Sequence, residues 1–214
     1  MQQTLGRLRQ RPVLGGRNLV HLGIILLSAF LLHPPELSAQ DSTITDPRDG
    51  HTYPVIKIGD TWWFARNLDH DQEGSVAANG PEDGCSDWGR LYGEEASRNA
   101  CPTGWRLPAP DDWEALSTLD VYALMDTVCW ESRASNTNAS GLTLQPSGYT
   151  HRDEHWNRRL SSAIWFHDPT DRRSHWHLHV HGDNGDTTHV FHTHKQDVRV
   201  RRFAVRCVRP AQGR

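Results

Sequence analysis

From about residue 50 onward, apolar and polar positions alternate in short runs that stop at turn-forming residues, the pattern of half-buried strands. Residues 51–58 read as a strand, Gly59-Asp60 as a hairpin turn, and residues 61–65 as the returning strand. Trp62 and Trp63 are adjacent and so point to opposite faces. Residues 69–84, with Gly74, Gly80, Pro81 and Gly84, read as a surface loop. Two helical patterns follow. One covers 91–100, with Glu94 and Glu95 near its start; the other begins at Pro110-Asp111-Asp112 and carries Trp113, Leu116 and Leu119. Its cap position falls on Ala109, which has no side-chain acceptor. Residues 122–130 fit helix and loop equally. Short strands then recur at 142–144, 146–149, 163–166, 176–181 and 187–194. The closing segment, 198–208, alternates but changes parity at Arg201-Arg202, where a β-bulge is expected. Helices in the first half and strands in the second predict an α+β fold with two short helices and a twisted antiparallel sheet.

The N-terminus has a different pattern. Arg7, Arg9, Arg11 and Arg17 precede an apolar run over 19–32, and Leu37-Ser38-Ala39 supplies a small-residue cleavage site. This is the order of a secretory signal peptide (1–39), with an apolar core short for a membrane span. An uncleaved N-terminal anchor is the alternative. No cysteine lies near the site for lipid attachment. Cleavage after Ala39 would leave a short lead, 40–44, and a domain over 45–210. The product is expected to be secreted, extracellular or periplasmic, with no membrane contact once the leader is gone.

The chain has 23 Lys+Arg against 26 Asp+Glu, a net charge of −3. Removing an arginine-rich leader makes the remainder more acidic, so nucleic acid and anionic lipid are rejected as partners.

The cysteines Cys85, Cys101, Cys129 and Cys207 all follow the leader, which predicts two disulfides among three possible pairings. No two lie within four residues of each other, which argues against zinc. Cys101 stands before a Pro102-Thr103-Gly104 turn and Cys207 in the closing strand. The expected pairing is Cys101–Cys207, a long-range clasp, with Cys85–Cys129. Each loop closure contributes up to about 4–5 kcal/mol.

Several segments together resemble a known family. They are residues 45–53, Val55-Ile56-Lys57-Ile58-Gly59-Asp60, residues 62–68, Trp88-Gly89-Arg90-Leu91-Tyr92, Cys101-Pro102-Thr103-Gly104-Trp105-Arg106-Leu107-Pro108 with Trp113, residues 141–149, and Ala204-Val205-Arg206-Cys207-Val208. In order and content they are similar to the FISUMP domain (Fibrobacter succinogenes major paralogous domain). The resemblance implies an exported or surface-attached bacterial protein with a single domain similar to C-type lectin-like and formylglycine-generating-enzyme folds. It implies no established activity. The family usually has a further cysteine ahead of the position of Cys85; its lack here leaves Cys129 as the partner for Cys85. Trp165-Phe166-His167-Asp168 stands where members commonly read Trp-Ser-Ser-Thr.

Histidine is the unusual residue. Of 14, ten lie from His151 onward. His175, His177, His179 and His181 alternate with Trp176, Leu178 and Val180, so a strand would turn the imidazoles outward along one face. His192 and His194 would join them from the returning strand, and a one-residue slip would offer His189 instead. Such a face could bind zinc or another transition metal, or be a solvated surface that happens to be histidine. Asp183, Asn184 and Asp186 could hold calcium, but a glycine turn needs the same residues. Gln145-Pro146-Ser147 and Trp156-Asn157-Arg158 each lack an oxygen ligand that calcium-dependent lectins carry. A formylglycine-generating enzyme would need reactive cysteines, which disulfides would consume. Of nine tryptophans, Trp63, Trp130 and Trp156 are the candidates for stacking on a sugar. The expectation is a secreted, non-catalytic binding module for a glycan or cell-surface protein. The alternatives are an extracellular metal-binding protein using the histidine face and a divergent enzyme.

Overall fold

The computed structural model describes residues 42–78, 85, 87–167, 176–181 and 200–211, all within the unit Ser38–Arg214. Two sheets organise them. The first has the order β1-β2-β3-β11, with β1 at Ser42–Thr45, β2 at Thr52–Ile58, β3 at Thr61–Phe64 and β11 at Val208–Pro210. The expected hairpin is β2–β3, in register Ile58↔Thr61. The second sheet runs β4 (Ser75–Ala77), β5 (Arg90–Gly93), β10 (Arg201–Ala204), β6 (Tyr149–His151), β7 (Glu154–Trp156). Strand β8 (Ser161–Phe166) also joins β10, in parallel, and β9 (Trp176–His181) pairs antiparallel with β8. The fold is α+β, with sheets that are antiparallel but for the β8–β10 pair.

Among the described residues three helices form rather than two: α1 (Glu94–Arg98), α2 (Pro110–Ser117) and α3 (Val121–Leu124). The first is shorter than its pattern suggested, because Leu91 and Tyr92 are buried strand residues. α2 starts at Pro110, and its unfavourable cap is offset from inside the helix. The Asp112 carboxylate accepts the Ala109 N–H at 2.6 Å and pairs with the Arg106 guanidinium at 2.6 and 3.1 Å. α3 resolves part of the ambiguous segment, capped by Asp120, which accepts the Tyr122 N–H at 3.1 Å. Among the described residues no helix is long and apolar enough to cross a membrane.

Both expected disulfides are present, Cys85–Cys129 with Cα atoms 5.6 Å apart and Cys101–Cys207 at 5.7 Å. They stand in the two apolar clusters of the core. Trp63, Trp88, Trp113, Trp130, Leu116 and Ile164 surround Cys85 and Cys129. Tyr53, Phe64, Tyr92, Trp165 and Phe203 surround Cys207.

The irregularity in the closing strand falls at 205–207, after Ala204, and not at Arg201-Arg202. There the chain leaves the second sheet and enters the first. Phe203 to Val208 are all buried, whatever their parity, because the segment is covered on both sides. Arg206 sits at this crossing with 0% exposure. Its Nε donates to Asn67 Oδ1 at 2.9 Å, one Nη donates to the carbonyls of Phe64 and Leu142, and the other to Thr143 at 2.6 Å. Burial pushes this guanidinium's pKa down, with Asp126 partly opposing. Its carbonyl partners satisfy the donors that burial would otherwise strand.

Candidate functional site

The β6–β7 hairpin turns at Arg152 and Asp153, both at positive φ (49° and 69°), the conformation of a tight two-residue hairpin turn. Asp153 is held there by Arg202 at 2.7 Å. This turn sets Tyr149 opposite Trp156 and His151 opposite Glu154. Gly148, at φ 63°, precedes the hairpin; a Cβ there would collide with the Trp156 carbonyl, so glycine is required. On the other edge of β6, Arg201 pairs with His151. Residues directly opposite in an antiparallel pair share a face. Tyr149, His151, Trp156 and Arg201 therefore lie on one side of the sheet.

The histidine strand reaches the same side. Tyr149 meets His179 edge-on at 5.8 Å between ring centroids and Phe203 at 5.8 Å. The Arg201 guanidinium lies over the Tyr149 ring at 5.5 Å. His179 and His181, two residues apart, bring their rings to 4.0 Å with a 38° tilt. His151 meets Trp156 edge-on at 6.2 Å. The face thus runs from an imidazole pair through a central phenol to an indole that is 46% exposed.

Several polar atoms here find no hydrogen-bond partner among the described residues. They include His151 Nδ1, Arg201 Nε and the hydroxyl of Ser161, which stands opposite His181. The adjacent His155 differs. Its Nδ1 lies 2.5 Å from Arg158 Nη2. A guanidinium can only donate, so Nδ1 accepts and the imidazole is neutral. Burial first, and Arg158 second, push its pKa below the ordinary histidine range.

Of the histidines proposed as an outward metal face, His179 and His181 are brought together. His179 is not a solvated position, being 8% exposed beneath Tyr149. Leu178 and Val180 do face the core, as the alternation requires. His177 lies on β9 opposite Trp165. His175, His192 and His194 fall outside the described residues, as do Asp183, Asn184 and Asp186. Of the three stacking tryptophans, two are corrected. Trp63 and Trp130 are 0% exposed. Trp63 packs on Trp113 at 5.1 Å because α2 covers that side of β3, leaving Trp62 as the half-exposed partner. Trp130 turns its indole N–H inward to the Leu144 carbonyl at 2.9 Å. Trp156 keeps an exposed ring. Tyr149, His151 and Arg201 had not been singled out; the available signal was the equal parity of 149/151 and 154/156 about a turn that lacks glycine.

Two other features gather charged groups. Asp46, Asp49 and His70 place ligand-type atoms within 4.8 Å of one another. Asp46 is already gripped by the Arg48 side chain at 2.6 and 2.9 Å, which holds its carboxyl below the usual range. Asp49 accepts from or pairs with His70 at 2.7 Å. The group works as a loop clamp. A broad cleft of about 1250 Å³ borders Arg201 and Arg202, but its acids and arginines balance, and Glu94–Arg98 and Asp153–Arg202 pair at 2.7 Å within it. No aromatic ring among the described residues lines it.

These features define a disulfide-clasped α+β domain with an aromatic, imidazole-rich sheet face. The family model of the Fibrobacter succinogenes major domain matches residues 56–209, and the chain belongs to that family. No curated protein and no solved structure matches it.

Proposed function

We propose that this chain is an exported, non-catalytic binding module whose contact surface is the Tyr149-centred sheet face and whose ligand is a saccharide. The observation that carries this reading is Trp156, a 46% exposed indole set in register with Tyr149 on the same face. Aromatic rings offer the flat apolar surface on which the C–H face of a sugar stacks. Arg201, its guanidinium 5.5 Å from the Tyr149 ring centroid, and His151, edge-on to Trp156, supply polar side chains beside these rings. The two disulfides fit an oxidising compartment. They also hold all four cysteines, leaving no thiol for formylglycine-generating chemistry. A glycan array probed with the full chain, with and without zinc and calcium, tests the reading. Binding should fall about tenfold or more in Trp156→Ala. An array with no hits, or hits indifferent to that substitution, would remove it.

A second reading rests on the His179–His181 pair. The two rings, with centroids 4.0 Å apart on one strand face, support a reading in which they share a transition metal, each through a neutral nitrogen. Calorimetric titration with zinc at neutral pH, compared with a His179→Ala/His181→Ala double variant, distinguishes it. Equal heats from both proteins would end the metal reading.

A further inference from the structure

A second concave site lies beside the clasp, with Cys101 in its lining. It is a cleft of about 610 Å³ lined by the turn after Cys101, the end of α1 and His167. That volume is within the range of about 300–1,000 Å³ typical of small-ligand pockets. Its walls combine apolar surface from Pro102 and Leu107 with Arg98, Arg106 and His167, and no Asp or Glu among the described residues lines it. The acids that pair with the two arginines, Glu94 at 2.7 Å and Asp112 at 2.6 Å, stand outside the lining. Their guanidinium-bearing side chains remain 36% and 48% exposed. A third, exposed guanidinium, Arg209, lies 4.6 Å over the ring of Trp105, which also lines the cleft.

In a chain of net charge −3 this lining is locally cationic: it carries arginines and a histidine and no acid among the described residues, although Arg98 and Arg106 each pair with an acid just outside it. Exposed arginines around a low-dielectric wall concentrate anions, and the guanidinium fork matches a carboxylate. Asn99 and Thr103 add neutral hydrogen-bonding groups suited to hydroxyls. We propose that this cleft binds a small carboxylate-bearing saccharide of the uronic-acid type, separately from the sheet face.

The test is isothermal titration of the full chain at low salt with digalacturonate and with a neutral digalactoside. Digalacturonate should bind at least tenfold more tightly, and its affinity should drop as sodium chloride is raised, since the cations are solvent-exposed. Arg98→Gln with Arg209→Gln, both at exposed positions, should weaken it about tenfold with an unchanged Tm. Trp156→Ala should leave its Kd within twofold. Equal affinity for the charged and neutral sugars, indifference to the double substitution, or loss of binding in Trp156→Ala would each overturn the proposal. Only the last of these would leave the sheet-face reading strengthened.

Discussion

The crossing at Arg206 and the face around Tyr149 both place polar groups against aromatic packing, yet they treat those groups in opposite ways. At Arg206 a guanidinium with 0% exposure meets four acceptors, three of them backbone carbonyls. Around Tyr149, atoms of His151, Arg201 and Ser161 are buried without partners among the described residues. Folding selects for the first arrangement, because an unsatisfied buried polar atom costs about 1–3 kcal/mol. The second lowers stability, and the binding role proposed for that face would account for its retention.

Breaking the contrast at its stable end should give the largest effect. Arg206→Met removes every donor at the crossing and strands the carbonyls of Phe64, Leu142 and Thr143. The expected loss is about 3 kcal/mol or more, read by urea unfolding with an unchanged m-value. Next is the clasp itself. Cys101→Ser/Cys207→Ser should cost about 2–5 kcal/mol by the same measurement, with the loss mostly independent of ligand.

At the other end, Ser161→Ala should raise stability by up to about 1–3 kcal/mol, since it removes a buried hydroxyl that has no partner among the described residues. Trp156→Ala, which removes the exposed ring, should instead weaken binding on the face about tenfold. A large stability loss in the first variant with intact binding in the second would reverse the assignment of the two regions. The smallest effect concerns His155, whose folded pKa lies below its ordinary 6.5. The unfolded chain then takes up a proton at a higher pH than the folded one. The stability this neutral imidazole contributes is therefore fully present above about pH 6.5 and is lost as pH falls from there through the folded value. His155→Gln should flatten that part of the stability–pH curve by well under 1 kcal/mol, the side chain being only half-buried.

Locally encoded features were legible. The Gly59-Asp60 hairpin and the Pro110 start of α2 follow from neighbouring residues; counting gives two disulfides but leaves three pairings, and the family resemblance supports the pairing that is present. What depended on distant segments was not. Adjacent Trp62 and Trp63 must point apart, but only the docking of Trp113 decides which is buried. His179 looked solvent-facing from its strand, and Tyr149, thirty residues earlier, covers it. Arg201 joins Tyr149 and His151 because β10 lies between β5 and β6, a neighbourhood that alternation alone does not specify. The buried parity of 203–208 was misread as a bulge because a strand that changes sheets has no solvent side to alternate with.

The disulfide at Cys207 also has a mechanical meaning. Tension applied to the C-terminal end would first act on Arg209 and Pro210, which pair with β3, and then on Val208, which is held by β3 on one side and by Arg106 on the other. The next residue inward is welded to Cys101, so the pull passes into a covalent bond before it reaches Arg206 or β10. A domain pulled by its tail could therefore fray at Arg209 and Pro210 and keep its interior intact.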